Sequence, residues 1–293
     1  MIQLERVTWI CGILLFSFAM LFSSVGSAQQ LTEMDTVFES LEKQLVSDGF
    51  DKEEINAIYS DSQVSFNSKA ISRFLTYREG KLNYDQFVSN RSIGKAKAYM
   101  KTYEAELKKA EKAYGVDAEV ITAIILVETR LGTGTGNSSV ISILSTMAAL
   151  EDPKIRELFW KEVSQNHEVD RNRYDKWVNR KSKWAYQELK SLLKYTEREK
   201  MDPVKIRGSF AGAVGISQFM PSNILFYAED GDGDGSVDLF CHADAIASVA
   251  NYLKRNGWYP GIERKKAYKV VWSYNHSTYY VETILKISDK LKG

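Results

Sequence analysis

The chain has 293 residues, with 39 Lys+Arg against 38 Asp+Glu, a net charge of +1, 44% hydrophobic residues, 4 Pro and 2 Cys. That length and apolar content can bury a substantial core and exclude a self-repelling disordered chain, and the balanced charge argues against a dedicated nucleic-acid binder. Two cysteines exclude a disulfide scaffold or a four-thiolate zinc site, and so few prolines leave room for many uninterrupted helices.

In chain order, Arg6 is followed by an apolar run from Val7 to Phe22 and by small residues from Ser23 to Ala28. A charged start, an apolar run and a small-residue site form the pattern of a secretory signal. The run is shorter than the roughly 20 residues needed to span a bilayer. Residues 1–28 are therefore expected to be a signal peptide cleaved near Ala28, with an uncleaved signal anchor as the alternative. Cleavage removes Cys11 and leaves Cys241 alone, so no intrachain disulfide is expected, and no stable membrane anchor remains. Residues 29–100 read as an N-terminal helical region. Val37, Leu41, Leu45, Ile55 and Ile58 recur at helical spacing, and the stretch from Ser60 to Asn90 is more polar, aromatic and irregular. Helices are expected over Lys95–Tyr114, stopped by Gly115, over Ser138–Leu150, and over Lys154–Lys200. Two more follow over Asp244–Asn256, with Asp at its start and Gly257 past its end, and over Thr278–Lys290. No long alternating strand is visible, so the fold class is mainly α.

The run from Val120 to Val127 is apolar almost all round, which marks a buried helix. Glu128 continues that helix on the face of Ile121, Ile124, Ile125 and Leu131. A carboxyl held there loses hydration, which raises its pKa, and such a group can still be protonated and act as an acid near neutral pH. The plainer alternative is a helix-terminal Glu paired with Arg130 or another cation. Two small-residue segments follow, Gly132 to Asn137 and Gly208 to Pro221. Neither matches a phosphate-binding loop or a dinucleotide fingerprint, and each fits either tight backbone packing or space for a bulky ligand.

Val127-Glu128-Thr129-Arg130, the Gly-Ser-Phe-Ala-Gly-Ala-Val-Gly…Gln-Phe-Met-Pro segment at 208–221 and Tyr274-Asn275-His276-Ser277 together resemble the lytic transglycosylases, closest to the membrane-bound B type and its soluble relatives. The resemblance runs from about Tyr103 to Lys290. It implies a lysozyme-like, mainly α catalytic core over 101–293, a periplasmic monomer, and peptidoglycan glycan strands as the partner. It further implies cleavage between N-acetylmuramic acid and N-acetylglucosamine with formation of a 1,6-anhydro ring, Glu128 serving first as general acid and then as base. Ser209, Gln218, Tyr252, Tyr274, Asn275 and Tyr280 match groove residues of the family, and Tyr84 matches an N-terminal groove tyrosine through a gapped alignment. A hydrolytic muramidase using Asp117, Glu151 or Asp152 as second carboxylate is one rival. A non-catalytic peptidoglycan-binding or calcium-dependent scaffold protein is the other.

Asp230, Asp232 and Asp234 alternate with glycines, with Gly235 at the sixth position, as at the start of an EF-hand calcium loop. Position twelve is Cys241, a poor calcium ligand. The family's EF-hand-like loop is longer, and by that resemblance Asp244 at position fifteen and the Ser236 backbone carbonyl complete a structural Ca2+ site over 230–244; a solvated acidic turn is the alternative. Leu131 replaces an aromatic residue frequent in the family. Residues about 155–183 are longer than the usual connection and carry Arg171, Arg173, Lys176, Arg180, Lys181 and Lys183 beside Trp177 and Trp184. That basic run reads as a solvated helical face, or else as a contact for peptide stems, muramic carboxylates or an acidic partner.

Overall fold

The computed structural model describes residues 37–76 and 83–293, so the signal-peptide reading lies outside the described residues. Three short helices open the chain, α1 (Glu39–Ser47), α2 (Lys52–Ser60) and α3 (Ser68–Thr76), followed by a 3-10 turn at Tyr84–Val88. Then come α4 (Asn90–Thr102), α5 (Glu104–Tyr114), α6 (Ala118–Thr129), β1 (Ser138–Ser139) and α7 (Val140–Ala149). The second half holds α8 (Pro153–Asn166), α9 (Arg171–Arg198), β2 (Arg207–Gly208), α10 (Pro221–Tyr227), α11 (His242–Arg255), α12 (Arg264–Tyr274) and α13 (Thr278–Lys292). The mainly α expectation holds, and the described strands are one antiparallel pair of two residues each, Ser138 opposite Gly208 and Ser139 opposite Arg207.

Local chemistry sets the helix ends. Asp51, Ser89, Ser139, Asp152, Asp170 and Ser277 each accept a backbone N–H from the first turn of the helix they open, satisfying donors that would otherwise lack partners. Several boundaries differ from the sequence reading. The helix expected over Lys95–Tyr114 is two, broken at Tyr103, and Gly115 closes the second with φ +68°. Lys154–Lys200 is also two, because Asp170 caps a new start. Ser138 and Ser139 are pulled from the next helix into the strand pair. Asp244 lies inside α11, which begins at His242.

Two helices make the centre. In α6 the residues from Val120 to Leu126 are all buried, and in α7 every residue from Val140 to Ala149 is. Around α6 pack α4, α5, α11 and α13; around α7 pack α1, α3 and α9. The helix α9, 28 residues long, spans roughly 42 Å at 1.5 Å per residue and also supports α10. From Phe38 to Gly293 these elements form one compact unit. Among the described residues no helix is long and apolar enough to cross a membrane.

Candidate active site

Glu128 sits in the last turn of α6, one residue before a sharp change of direction. Ile121, Ile124 and Ile125 are fully buried along its face, as expected. Leu131 is not on that face: the helix stops at Thr129, and Arg130 (φ +52°), Leu131 (φ +63°) and Gly132 (φ +84°) all take left-handed backbone. The cause is Thr129. Its hydroxyl donates to the carbonyls of Ile125 (3.3 Å) and Ile216 (3.0 Å) and accepts the N–H of Gly132 (3.0 Å). That one buried side chain ends the helix and ties it to the 208–221 segment.

Glu128 is half-buried. The hydroxyl of Tyr280, a residue 2% exposed, donates to its Oε1 at 2.6 Å. Behind Tyr280 stands Tyr274, rings stacked at 6.4 Å, with its hydroxyl donated to the Ser217 carbonyl at 2.6 Å. Burial pushes both phenols well above their ordinary value, and the nearby Glu128 charge pushes them further. Both therefore stay protonated as donors. Tyr252 contacts Tyr274 at 4.8 Å and gives its hydroxyl to the Ser273 carbonyl; buried, it backs Tyr274. Asn275 lies at the end of α12, its carbonyl accepting the Ser277 N–H. Tyr84, on the 3-10 turn that packs against α13, stacks on Tyr279 at 6.4 Å and lies close enough to raise the Tyr280 phenol.

The 208–221 segment forms a tight loop. The Ser209 hydroxyl accepts the N–H of Ala211 (3.3 Å) and of Ala213 (3.0 Å), so its O–H points elsewhere. Gln218, itself at φ +50°, donates its amide to the carbonyls of Thr135 (3.0 Å) and Gly215 (2.9 Å), leaving Oε1 as an acceptor. A Cβ on Gly136 would lie 2.2 Å from the Gly208 carbonyl oxygen, so the two glycine-rich segments touch backbone to backbone. Tight packing and site-building are thus one device: the loops meet because they lack side chains, and the meeting sets Ser209 and Gln218.

The carboxylates considered as second partners to Glu128 are engaged elsewhere. Asp117 precedes α6, eleven residues before Glu128, which is about 16 Å along the helix, and it pairs with Lys292 at 3.6 Å. Glu151 accepts from Ser182, and Asp152 caps α8.

At 230–244, carboxylate oxygens of Asp230, Asp232 and Asp234 lie within 4.8 Å of one another, and those of Asp232 and Asp244 do so with the Cys241 sulfur. Asp230 accepts the N–H groups of Gly233 and Gly235, which hold its acid below the usual range. Asp244, 1% exposed, accepts the N–H of Gly231 (2.8 Å) and Asp238 (2.7 Å) across the loop. From outside, Glu199 accepts from Val237 N–H and the Ser236 hydroxyl, and Lys109 donates to the Gly231 carbonyl. A cluster of hard oxygen donors on a preshaped loop fits a calcium ion better than any softer metal. Sequence reasoning missed Thr129, Glu199 and Lys109. Only Thr129 carried a local signal, a hydroxyl residue placed where a buried helix must turn.

Comparison with known proteins gives the family and the fold. The family described as "Transglycosylase SLT domain" matches residues 33–266. Membrane-bound lytic murein transglycosylase B of Escherichia coli (strain K12) is 30% identical over 238 residues, which is 75% of this chain and 57% of that protein, so the chain spans little more than half its relative's length. The crystal structure of soluble lytic transglycosylase SltB1 from Pseudomonas aeruginosa superposes with a TM-score of 0.71 at 23% identity, covering 87% of this chain and 98% of that one. Two further structures share the fold. Escherichia coli lytic transglycosylase SLT35 in complex with calcium has a TM-score of 0.68 at 21% identity, covering 88% of this chain and 93% of that one. SltB3 from Pseudomonas aeruginosa in complex with NAG-NAM-pentapeptide has 0.68 at 20%, covering 87% and 80%. With a lysozyme-like helical fold and the family matched over most of its length, the chain belongs to the SLT-domain lytic transglycosylases.

Proposed function

We propose that the protein cleaves the bond between N-acetylmuramic acid and N-acetylglucosamine in peptidoglycan and leaves a 1,6-anhydro-muramoyl end, acting in cell-wall turnover. The observation that carries this is Glu128 at the end of a buried helix, its Oε1 held by the buried Tyr280 hydroxyl. Two-carboxylate glycosidases hold their pair about 5 to 9.5 Å apart. Among the described residues, Asp117, Glu151 and Asp152, the carboxylates weighed for that second role, each hold another partner. A single group suffices when the substrate brings its own nucleophile. Glu128 gives its proton to the glycosidic oxygen as the C1–O bond breaks. The resulting carboxylate, steadied by the Tyr280 hydroxyl, takes the proton from the muramoyl O6 hydroxyl while O6 bonds to C1. The ring closes within one sugar, so no bimolecular entropy cost arises, and the site needs no water-activating base.

Ser209, Gln218, Asn275 and Tyr84 line the glycan path, with Ser209 donating its O–H and Gln218 accepting through Oε1. Calcium, when bound, neutralises the acidic loop; Asp230, Asp232, Asp234, the Ser236 carbonyl and Asp244 are the residues to hold it. Export by the first 28 residues delivers the enzyme to the periplasm as a monomer.

The test is mass spectrometry of soluble muropeptides released from purified sacculi. Wild type is expected to release anhydro-muramoyl products and Glu128→Gln none. Reducing-end products would instead identify a muramidase, and no release with calcium present would identify a binding protein.

A further inference from the structure

The basic run in α9 has a geometry of its own. Arg173, Trp177, Arg180 and Trp184 recur every three or four residues, which places them on one stripe of the helix. Arg173, Lys176 and Arg180 are exposed, and none has a carboxylate partner among the described residues, whereas Arg171 is neutralised by Glu157 and Asp175. These three cations, with Trp177, Asn172 and Asp170, line a groove of about 450 Å³. Asp170 is the one acid there, and it is occupied as the helix cap, accepting the Arg173 N–H at 2.9 Å. A positive concavity with an aromatic wall remains.

Packed rings join the groove's aromatic wall to the segment that holds Ser209. Trp177 meets Phe74 of α3 edge-on at 5.9 Å, and Phe74 meets Phe210 at 6.3 Å. Phe210 directly follows Ser209. Trp184 closes on Phe74 at 6.2 Å, with Lys181 over its ring at 4.1 Å and Arg73 over the Phe210 ring at 4.5 Å. A cluster of packed rings edged by cations therefore lies between Phe210 and the groove.

We propose that this stripe of α9 is an exosite for the carboxylates of the stem peptides borne by muramic acid, so that the protein favours peptide-bearing strands over bare glycan. The inference rests on the peptidoglycan reading above and adds a second contact to it. A strand seated at Ser209 and running over Phe210 carries its lactyl-linked peptides outward. Free carboxylates on those peptides meet Arg173, Lys176 and Arg180, and the peptide backbone lies on Trp177. Individually such exposed pairs are weak and screened by salt; together they supply a preference. A narrow groove holding three cations does not match a membrane, which would need a broad basic face.

The experiment measures sedimentation of the full chain in a Glu128→Gln background with three probes. These are intact sacculi, bare glycan strands released by an amidase and coupled to beads, and vesicles containing 30% phosphatidylglycerol. The double variant Arg173→Glu with Arg180→Glu is expected to bind intact sacculi about tenfold more weakly than its parent at low salt. That gap should close as salt is raised, while bare strands bind both proteins alike. Arg173→Gln with Arg180→Gln, a milder change, is expected to lose about threefold. Equal weakening on bare strands, no weakening on intact sacculi, or a loss confined to vesicles overturns the exosite. Binding is read without turnover, so absent anhydro products in the wild type would remove the catalytic reading and leave this one standing.

Discussion

Tyr280 does more for Glu128 than a groove tyrosine need do. Its buried hydroxyl is locked onto Oε1 at 2.6 Å, and hydrogen bonds to charged groups contribute about 1.5–3 kcal/mol. Tyr280→Phe should therefore lower kcat for anhydro-muropeptide release by about tenfold or more with KM little changed, because the contact matters most once Glu128 is a carboxylate. Thr129 acts at one remove, as a positioning residue. Thr129→Val leaves the Gly132 N–H and the Ile216 carbonyl without their partner, which should cost about 1–3 kcal/mol, read as a lower urea midpoint at unchanged slope. Thr129→Ser retains the hydroxyl and should recover most of that loss. The motif containing Thr129 was legible in the sequence, but its role was not, since both of its tertiary partners depend on a segment almost ninety positions away.

Among the elements, the two glycine-rich loops show how packing and site depend on each other. Gly136→Ala would force a Cβ to 2.2 Å from the Gly208 oxygen at a backbone φ of +92°. It should destabilise the fold by about 2 kcal/mol or more and disturb Ser209 and Gln218 together, seen as a drop in both Tm and glycan affinity. Gly94 makes the opposite prediction. It lies inside α4 with open space around it and ordinary φ, so Gly94→Ala should stabilise by about 0.5–1 kcal/mol through helix propensity. Both are glycines in amphipathic or small-residue contexts, and only the close approach of another backbone separates them. For the same reason periodicity located α6 and α7 but misjudged one end of each: apolar spacing records the buried face, whereas a side chain such as Thr129 and a strand partner such as Gly208 decide where a helix stops or starts.

At the scale of the molecule, the acidic loop is wired to the helix that carries Glu128. The Leu239 carbonyl, inside the 230–244 loop, accepts the Ile216 N–H at 2.8 Å, and the Ile216 carbonyl accepts the Thr129 hydroxyl. On the other side, Gly132 packs against His242, the first residue of α11. A cation that binds only the folded loop at a hundred times its Kd adds about 2.7 kcal/mol of stability. For a chain of this size that is roughly 5–10 °C in Tm. Chelation should remove that increment in calorimetry and also reduce anhydro-muropeptide release, and Asp232→Asn should blunt the response to added calcium.

The sequence by itself determined the mainly α class, the buried helix carrying Glu128, the acidic loop and, through three separated motifs, the family. Each of these is written in residues near one another along the chain or in apolar spacing, which local physics translates directly. Tertiary structure alone decided that Tyr280 grips Glu128, that Thr129 turns the helix, that the rival carboxylates are engaged elsewhere, and that the basic stripe of α9 packs, through Phe74, beside Phe210. Those relations join positions from different helices, and no periodicity along a chain encodes which helices will meet.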